Sequence, residues 1–159
     1  MSTSDNVFVA VDESVGVVAG WLGEVLGLEA VVGAEVGEDE RLFRRPARAG
    51  DGVVRVVVRR NGFAMVEPEP DEVQAIDRYA VDLDVSLVGL KDEAWQLRET
   101  EAIFGDLVAA RPDVPALLVH NLDTLMKAHL PGAGTHTFDP LITPDAEDLD
   151  TWRGWVVGG

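Results

Sequence analysis

Val53-Val54-Arg55-Val56-Val57-Val58-Arg59-Arg60 runs into Asn61-Gly62 and then Phe63-Ala64-Met65-Val66. The first eight residues are rich in β-branched side chains, which fit a pleated, half-buried surface. Asn and Gly tolerate the positive φ angles of a type I′ turn, whose twist matches that of two paired strands. The stretch therefore predicts a β-hairpin at Asn61-Gly62. Arg55 and Arg59 share strand parity, so they line one face with Val57 between them.

Downstream, Glu67-Pro68-Glu69-Pro70-Asp71 reads as a linker, because proline has no N–H for a ladder and holds its predecessor extended. Tyr79 to Val88 then alternates, with Val81, Leu83, Val85 and Leu87 on one side and Asp82, Asp84 and Ser86 on the other. That pattern predicts a strand with one wet face. Asp92 can cap a helix to about Ala110, its buried side supplied by Trp95, Leu97, Ile103, Phe104, Leu107 and Val108. Pro112 and Pro115 end it. Ala116 to His120 is a buried strand or the approach to a helix, and Asn121 can cap a third helix, Leu122 to Leu130, stopped by Pro131-Gly132.

Upstream, Arg41 to Arg45 predicts a strand ended by Pro46, and Ala30 to Ala34 another, with a turn at 37–40. Val7 to Val11 is a continuous apolar run, expected to be a buried strand. Asp12 or Ser14 caps the next helix, whose Val18, Trp21, Leu22, Val25 and Leu26 recur at helical spacing before Gly27 stops it. Residues 1–6 are expected to be disordered. Residues 131–159 are loop-rich and fold back through Trp152, Trp155, Val156 and Val157. The element order predicts one α+β domain over residues 1–159, a mainly antiparallel sheet with two to three helices packed on one face.

The chain of 159 residues carries a formal charge of −16 and no cysteine. Disulfides, thiolate metal sites and a cysteine nucleophile are thereby excluded. The acidity is uneven: residues 1–63 hold ten acids and seven arginines, residues 64–150 nineteen acids against five bases. Such a field repels phosphate backbones and attracts cations, so nucleic acid is not an expected partner. Solubility alone also explains it. The N-terminal residues lack the basic start of a secretory signal, and no apolar run approaches the roughly 20 residues of a membrane span. The expectation is a cytoplasmic protein with no membrane contact. Eleven arginines against Lys91 and Lys127, with abundant Val, Ala, Gly and Asp, fit a GC-rich bacterial coding bias.

No Walker A, GxGxxG or G-x-S-x-G sequence occurs. No catalytic residue, cofactor or metal ligand is therefore assigned. Asp82-Leu83-Asp84 is a DxD, a pattern that can hold a divalent cation, although an amphipathic strand yields the same spacing. His120 and His129 lack the i, i+4 spacing of a helical zinc pair. His136 lies in a candidate loop without an obvious nucleophile. Seven arginines between Arg41 and Arg60 could take an anion, or could neutralise the acidic remainder internally. Trp21 and Trp95 fall on apolar helical faces and are expected in the core. Trp152 and Trp155 lie outside regular elements and are the better candidates for a contact surface.

Tyr79-Ala80-Val81-Asp82-Leu83-Asp84-Val85 and Leu117-Leu118-Val119-His120-Asn121-Leu122-Asp123-Thr124-Leu125, with the size, acidity and α+β pattern of the chain, resemble small bacterial immunity proteins of polymorphic-toxin systems. The resemblance implies a non-catalytic module that binds and blocks a cationic, toxin-like protein. Glu67, Glu69, Asp71, Glu72, Asp82 and Asp84 would supply charge, and Trp152 and Trp155 the aromatic anchors. Two other classes stay open. One is a small metal-dependent enzyme using Asp82, Asp84 and His136. The other is a structural subunit self-associating through the hairpin edge or the terminal tryptophans.

Overall fold

The run from Val53 does form a strand, but the chain does not turn back at Asn61-Gly62. A computed structural model describes residues 4–33, 37, 39–89 and 92–158. In it β4 (Val53–Arg60) lies between β3 (Glu40–Pro46) and β5 (Val81–Leu87). The register runs from Glu40↔Arg59 to Pro46↔Val53 on one side and from Val54↔Leu87 to Arg60↔Val81 on the other. Phe63 to Val66 pairs with nothing in the sheet. The Asn61 side chain explains the difference. Its amide donates to the carbonyls of Ile76 (2.9 Å) and Tyr79 (2.8 Å), and its Oδ1 accepts from Phe63 N–H (3.0 Å). With Asn61 N–H on Ala80 O at 2.9 Å, this residue closes the neck of a loop over 61–80. It is longer than the usual Ω loop but has its ends held together in the same way, and is called the Ω loop below.

A tight turn of the expected geometry occurs elsewhere. Asn121 and Leu122 both have positive φ, 53° and 57°, and Asp123 N–H donates to His120 O at 3.2 Å. This turn joins β6 (Ala116–His120) to β7 (Thr124–Leu130). The helix expected over 122–130 is therefore a strand, because pairing with β6 and with β8 (Gly134–Thr137) overrides a composition compatible with helix. Pro131-Gly132 serves as the β7–β8 turn, with Gly132 at φ 81° supplying the left-handed conformation that a type II turn requires.

β1 (Asp5–Val9) and the two-residue β2 (Glu29–Ala30) complete one antiparallel sheet in the order β2-β3-β4-β5-β1-β6-β7-β8. The strand expected over residues 30–34 is thus confined to Glu29–Ala30, and Ala34 lies outside the described residues. β1 begins at Asp5, so Asp5 and Asn6 are inside the fold rather than before it. Both find buried partners there, as described below.

Two helices cover one face. α1 (Val15–Val25) is capped by Ser14, whose hydroxyl accepts from Val17 N–H, and α2 (Glu93–Ala110) by Asp92, whose carboxylate accepts from Trp95 N–H. Gly16, Gly20 and Gly23 each weaken α1 by up to about 1 kcal/mol. Full burial of Val18 and Leu22, with Leu26 just beyond, contributes roughly 1.5–3 kcal/mol apiece. Packing therefore wins. These side chains meet Ile103, Phe104 and Leu107 of α2 and the inward valines of β4, β5 and β1. Trp21 and Trp95 are half-buried at this layer's margin rather than central. The Arg111 guanidinium stands 4.3 Å over the Trp21 ring.

The opposite face is covered without long helices. Ala75, Ile76 and Tyr79 of the Ω loop and Phe138, Trp152 and Val156 of the C-terminal segment pack on Phe8, Leu117, Val119, Leu125 and Ala128. Trp152 ends α3 (Leu149–Trp152), a single turn flanked by 3₁₀ turns. Loop and segment are stitched together: Ala75 N–H donates to Pro144 O at 2.7 Å, and Val157 N–H to the Tyr79 hydroxyl at 3.2 Å. Burial pushes the Tyr79 phenol up to about 12, so it stays protonated at any physiological pH. No helix among the described residues is long and apolar enough to cross a membrane.

Candidate functional site

The Ω loop leaves β4 and returns to β5, packing part of its length on the sheet, and its exposed outer arc carries the proline-rich run. Glu67, Glu69, Asp71 and Glu72 are all exposed, and none forms an ion pair among the described residues. Glu67 has φ 51° and precedes Pro68, so its backbone sits in a left-handed conformation disfavoured for a β-carbon residue. Beside it Val66 is 91% exposed, with Phe63 and Met65 also at the surface. The inner arc is tied down by contrast. Asp77 accepts from the backbone N–H groups of Met65 (3.0 Å) and Gln74 (2.8 Å), and Phe63 meets buried Phe8 edge-on at 6.4 Å between centroids.

Between this loop and the C-terminal segment lies a cleft of about 940 Å³. Met65, Pro68, Pro70 and Val73 form one wall, Leu149, Val156 and Val157 the other, with Trp152 below. Arg78 and Arg153 also line it. Trp152 is 2% exposed and donates its Nε1–H to Asp145 O at 3.0 Å. It is thus the floor of a cleft and part of the core, not a protruding anchor. Trp155 is half-buried and stacks on His136, 4.3 Å between centroids and 8° from parallel.

The remaining charge candidates sit apart from the loop. Asp82 is fully buried and Asp84 half-buried, so the strand face expected to be wet is dry at Asp82. Arg59 is the cause: its guanidinium contacts Asp82 at 3.0 Å and Asp84 at 3.1 Å. Asn6 adds an amide donor to Asp82 at 2.7 Å. Burial raises the Asp82 carboxyl, while the Asn6 hydrogen bond and the Arg59 charge oppose the rise. The DxD therefore already holds a cation, and it is an arginine. Three strands separate it from His136 on β8, so the trio of Asp82, Asp84 and His136 is not assembled. Among the described residues, no group of three or more His, Asp or Glu could hold a metal ion. Internal neutralisation extends further, since Arg45 and Arg48 both contact Asp106 and Arg44 contacts Glu29.

One polar cluster was not visible in sequence. His120 bridges two carboxylates, Nδ1 to fully buried Asp5 at 2.5 Å and Nε2 to Glu93 of α2 at 2.7 Å. Gln96 donates to the other oxygen of Asp5 at 3.2 Å. Burial would lower the imidazole's proton affinity, but hydrogen bonds to Asp5 and Glu93 and their charges outweigh it, and the His120 pKa is raised. Its contribution is accordingly complete below about pH 6.5, the ordinary histidine value, and is lost as pH rises through the folded value. Burial raises Asp5 as well, against its hydrogen bonds to His120 and Gln96. For Asp5 the loss begins as pH climbs past about 3.9. Urea midpoints for wild type and His120→Gln should therefore differ most near pH 5 and converge towards pH 9. A gap that stays constant over that range would show that the imidazole charge contributes nothing.

The chain matches no family model, no curated protein and no solved structure. The chemistry of the Ω loop and its cleft therefore carries the functional argument alone. No edge of β4 is free for self-association, because β3 and β5 flank it; the sheet ends at β2 and β8. The cleft left no signature in sequence beyond its prolines and the exposed Met65-Val66, since its second wall arrives some eighty positions later.

Proposed function

We propose that the protein is an acidic binding module of the immunity type, which docks through the Ω loop onto a cationic, toxin-like protein and blocks its working surface. The reading is carried by one contrast. The carboxylates of β5 and α2 near the arginines are paired, whereas Glu67, Glu69, Asp71 and Glu72 stand exposed without a counterion among the described residues. Unpaired rim charges on an exposed loop arc accelerate encounter with an oppositely charged partner, and apolar neighbours then set the residence time. A protein that handles phosphate must be cationic where it does so, which makes its active face a natural target. Strain at Glu67 fits a loop shaped for contact rather than for stability.

Co-purification from the native host identifies the partner, and stopped-flow kinetics with it test the reading. Reversing two loop charges, Glu69→Lys with Asp71→Lys, should slow association at low salt by tenfold or more and flatten its salt dependence. Folding should be untouched, because neither side chain makes an ion pair. An acidic partner, or an on-rate indifferent to the reversal, would overturn the proposal.

A further inference from the structure

We infer that the cleft between the Ω loop and the C-terminal segment receives an extended segment of the partner in which basic residues alternate with apolar ones. The inference rests on the module reading above and specifies what that module grips. Three observations lead to it. Both walls are largely apolar, from Met65, Pro68 and Pro70 to Val156 and Val157 with Trp152 beneath, and Glu67, Asp77, Arg78 and Arg153 lie among them. The volume of about 940 Å³ accommodates several side chains rather than one, the range of ordinary ligand clefts being roughly 300–1,000 Å³. The loop that forms one wall carries four unpaired carboxylates along its outer arc, including Glu67 at the mouth.

The manner of recognition follows from the wall residues. Pro68 and Pro70 offer no N–H, so an incoming strand cannot add to this wall by a backbone ladder. Selection is by side chains, apolar ones entering the cleft and cationic ones reaching the carboxylates. Arg78 lies against Gly158, where a β-carbon would come within 2.4 Å of its Cδ, so its stem serves as wall. A second copy of this chain is the wrong occupant. A two-fold contact would set the same acidic arc against itself. An anionic ligand would meet Arg78 and Arg153 of the lining but also the loop carboxylates, and the Leu-Glu peptide below tests that occupant.

The test uses three blocked synthetic heptapeptides, labelled for fluorescence anisotropy: alternating Leu and Lys, alternating Ser and Lys, and alternating Leu and Glu. The full chain is titrated as wild type, as Val157→Trp (cleft filled), as Met65→Ala (wall shortened) and as Glu69→Lys with Asp71→Lys. The Leu-Lys peptide should bind best. Each cleft variant should weaken it by tenfold or more while leaving the Ser-Lys peptide unchanged. The charge reversal should weaken both basic peptides. Met65 is a surface side chain, so its variant remains informative should the tryptophan substitution disturb folding. Equal binding of Leu-Lys and Ser-Lys peptides, with the cleft variants silent, overturns the cleft and leaves the acidic loop standing. Absence of Leu-Lys binding, or equal binding of the Leu-Glu peptide, overturns the inference outright. Loss on filling the cleft but none on charge reversal instead removes the acidic-module reading and retains an apolar receptor.

Discussion

Arg59→Met should lower stability by about 3 kcal/mol near neutral pH and by much less near pH 4. Asp82 is fully buried, and among the described residues Arg59 is the one cation paired with it. Removing the guanidinium leaves Asn6 as its side-chain hydrogen-bond donor among the described residues. An ionised carboxylate so placed is strained towards neutrality, which pushes its already raised pKa higher still. A carboxyl with a raised folded pKa favours the native state most when protonated. The penalty must therefore grow as pH rises through the folded value and fade as pH falls towards the ordinary carboxylate range near 3.9. Chemical denaturation at several pH values reads the effect. The double variant with Asp82→Asn should recover most of the loss at neutral pH, and no recovery would mean that Arg59 acts by packing alone.

The second large effect is expected at Trp152. Truncation to alanine empties the centre of the layer that holds the Ω loop to the sheet, where Tyr79, Phe138 and Val156 also meet. Large-to-small changes of an aromatic core residue cost about 3–5 kcal/mol. The Nε1–H to Asp145 O bond is lost as well. Because this layer is stapled by few elements, the damage should be local before it is global. Amide exchange should accelerate first over 138–158 and 65–79, with α1 and α2 still protected. Uniform acceleration over both helices would indicate that the two layers unfold as one unit.

Much of the fold was legible because its cues are local. Ser14 and Asp92 start their helices with a side-chain cap, and the alternation of Val81 to Leu87 places the right residues on the helix-covered face. The misreadings share a cause. Asn61 resembles a turn residue, yet its hydrogen bonds reach 15 and 18 positions ahead. Leu122 to Leu130 has a composition that suits a helix, and only partners on both sides make it a strand. Asp82 looked solvated because Arg59 and Asn6 lie 23 and 76 positions away. The acidic loop was visible as composition, but the cleft beside it was not. Its far wall comes from another part of the chain, and only the packing of Trp152 and Tyr79 brings the two together.

The placement of β1 has a consequence for how the polypeptide is made. Its two neighbours in the sheet are β5 and β6, so Asn6 waits for a partner 76 positions later and Asp5 for one 115 positions later. While a ribosome is still delivering the middle of the sequence, this apolar ribbon has both flanks bare. Contacts so distant along a chain close slowly, and unpaired ribbons of this kind invite association between molecules before closure. Newly made copies should therefore depend on holdase chaperones far more than their final stability would suggest.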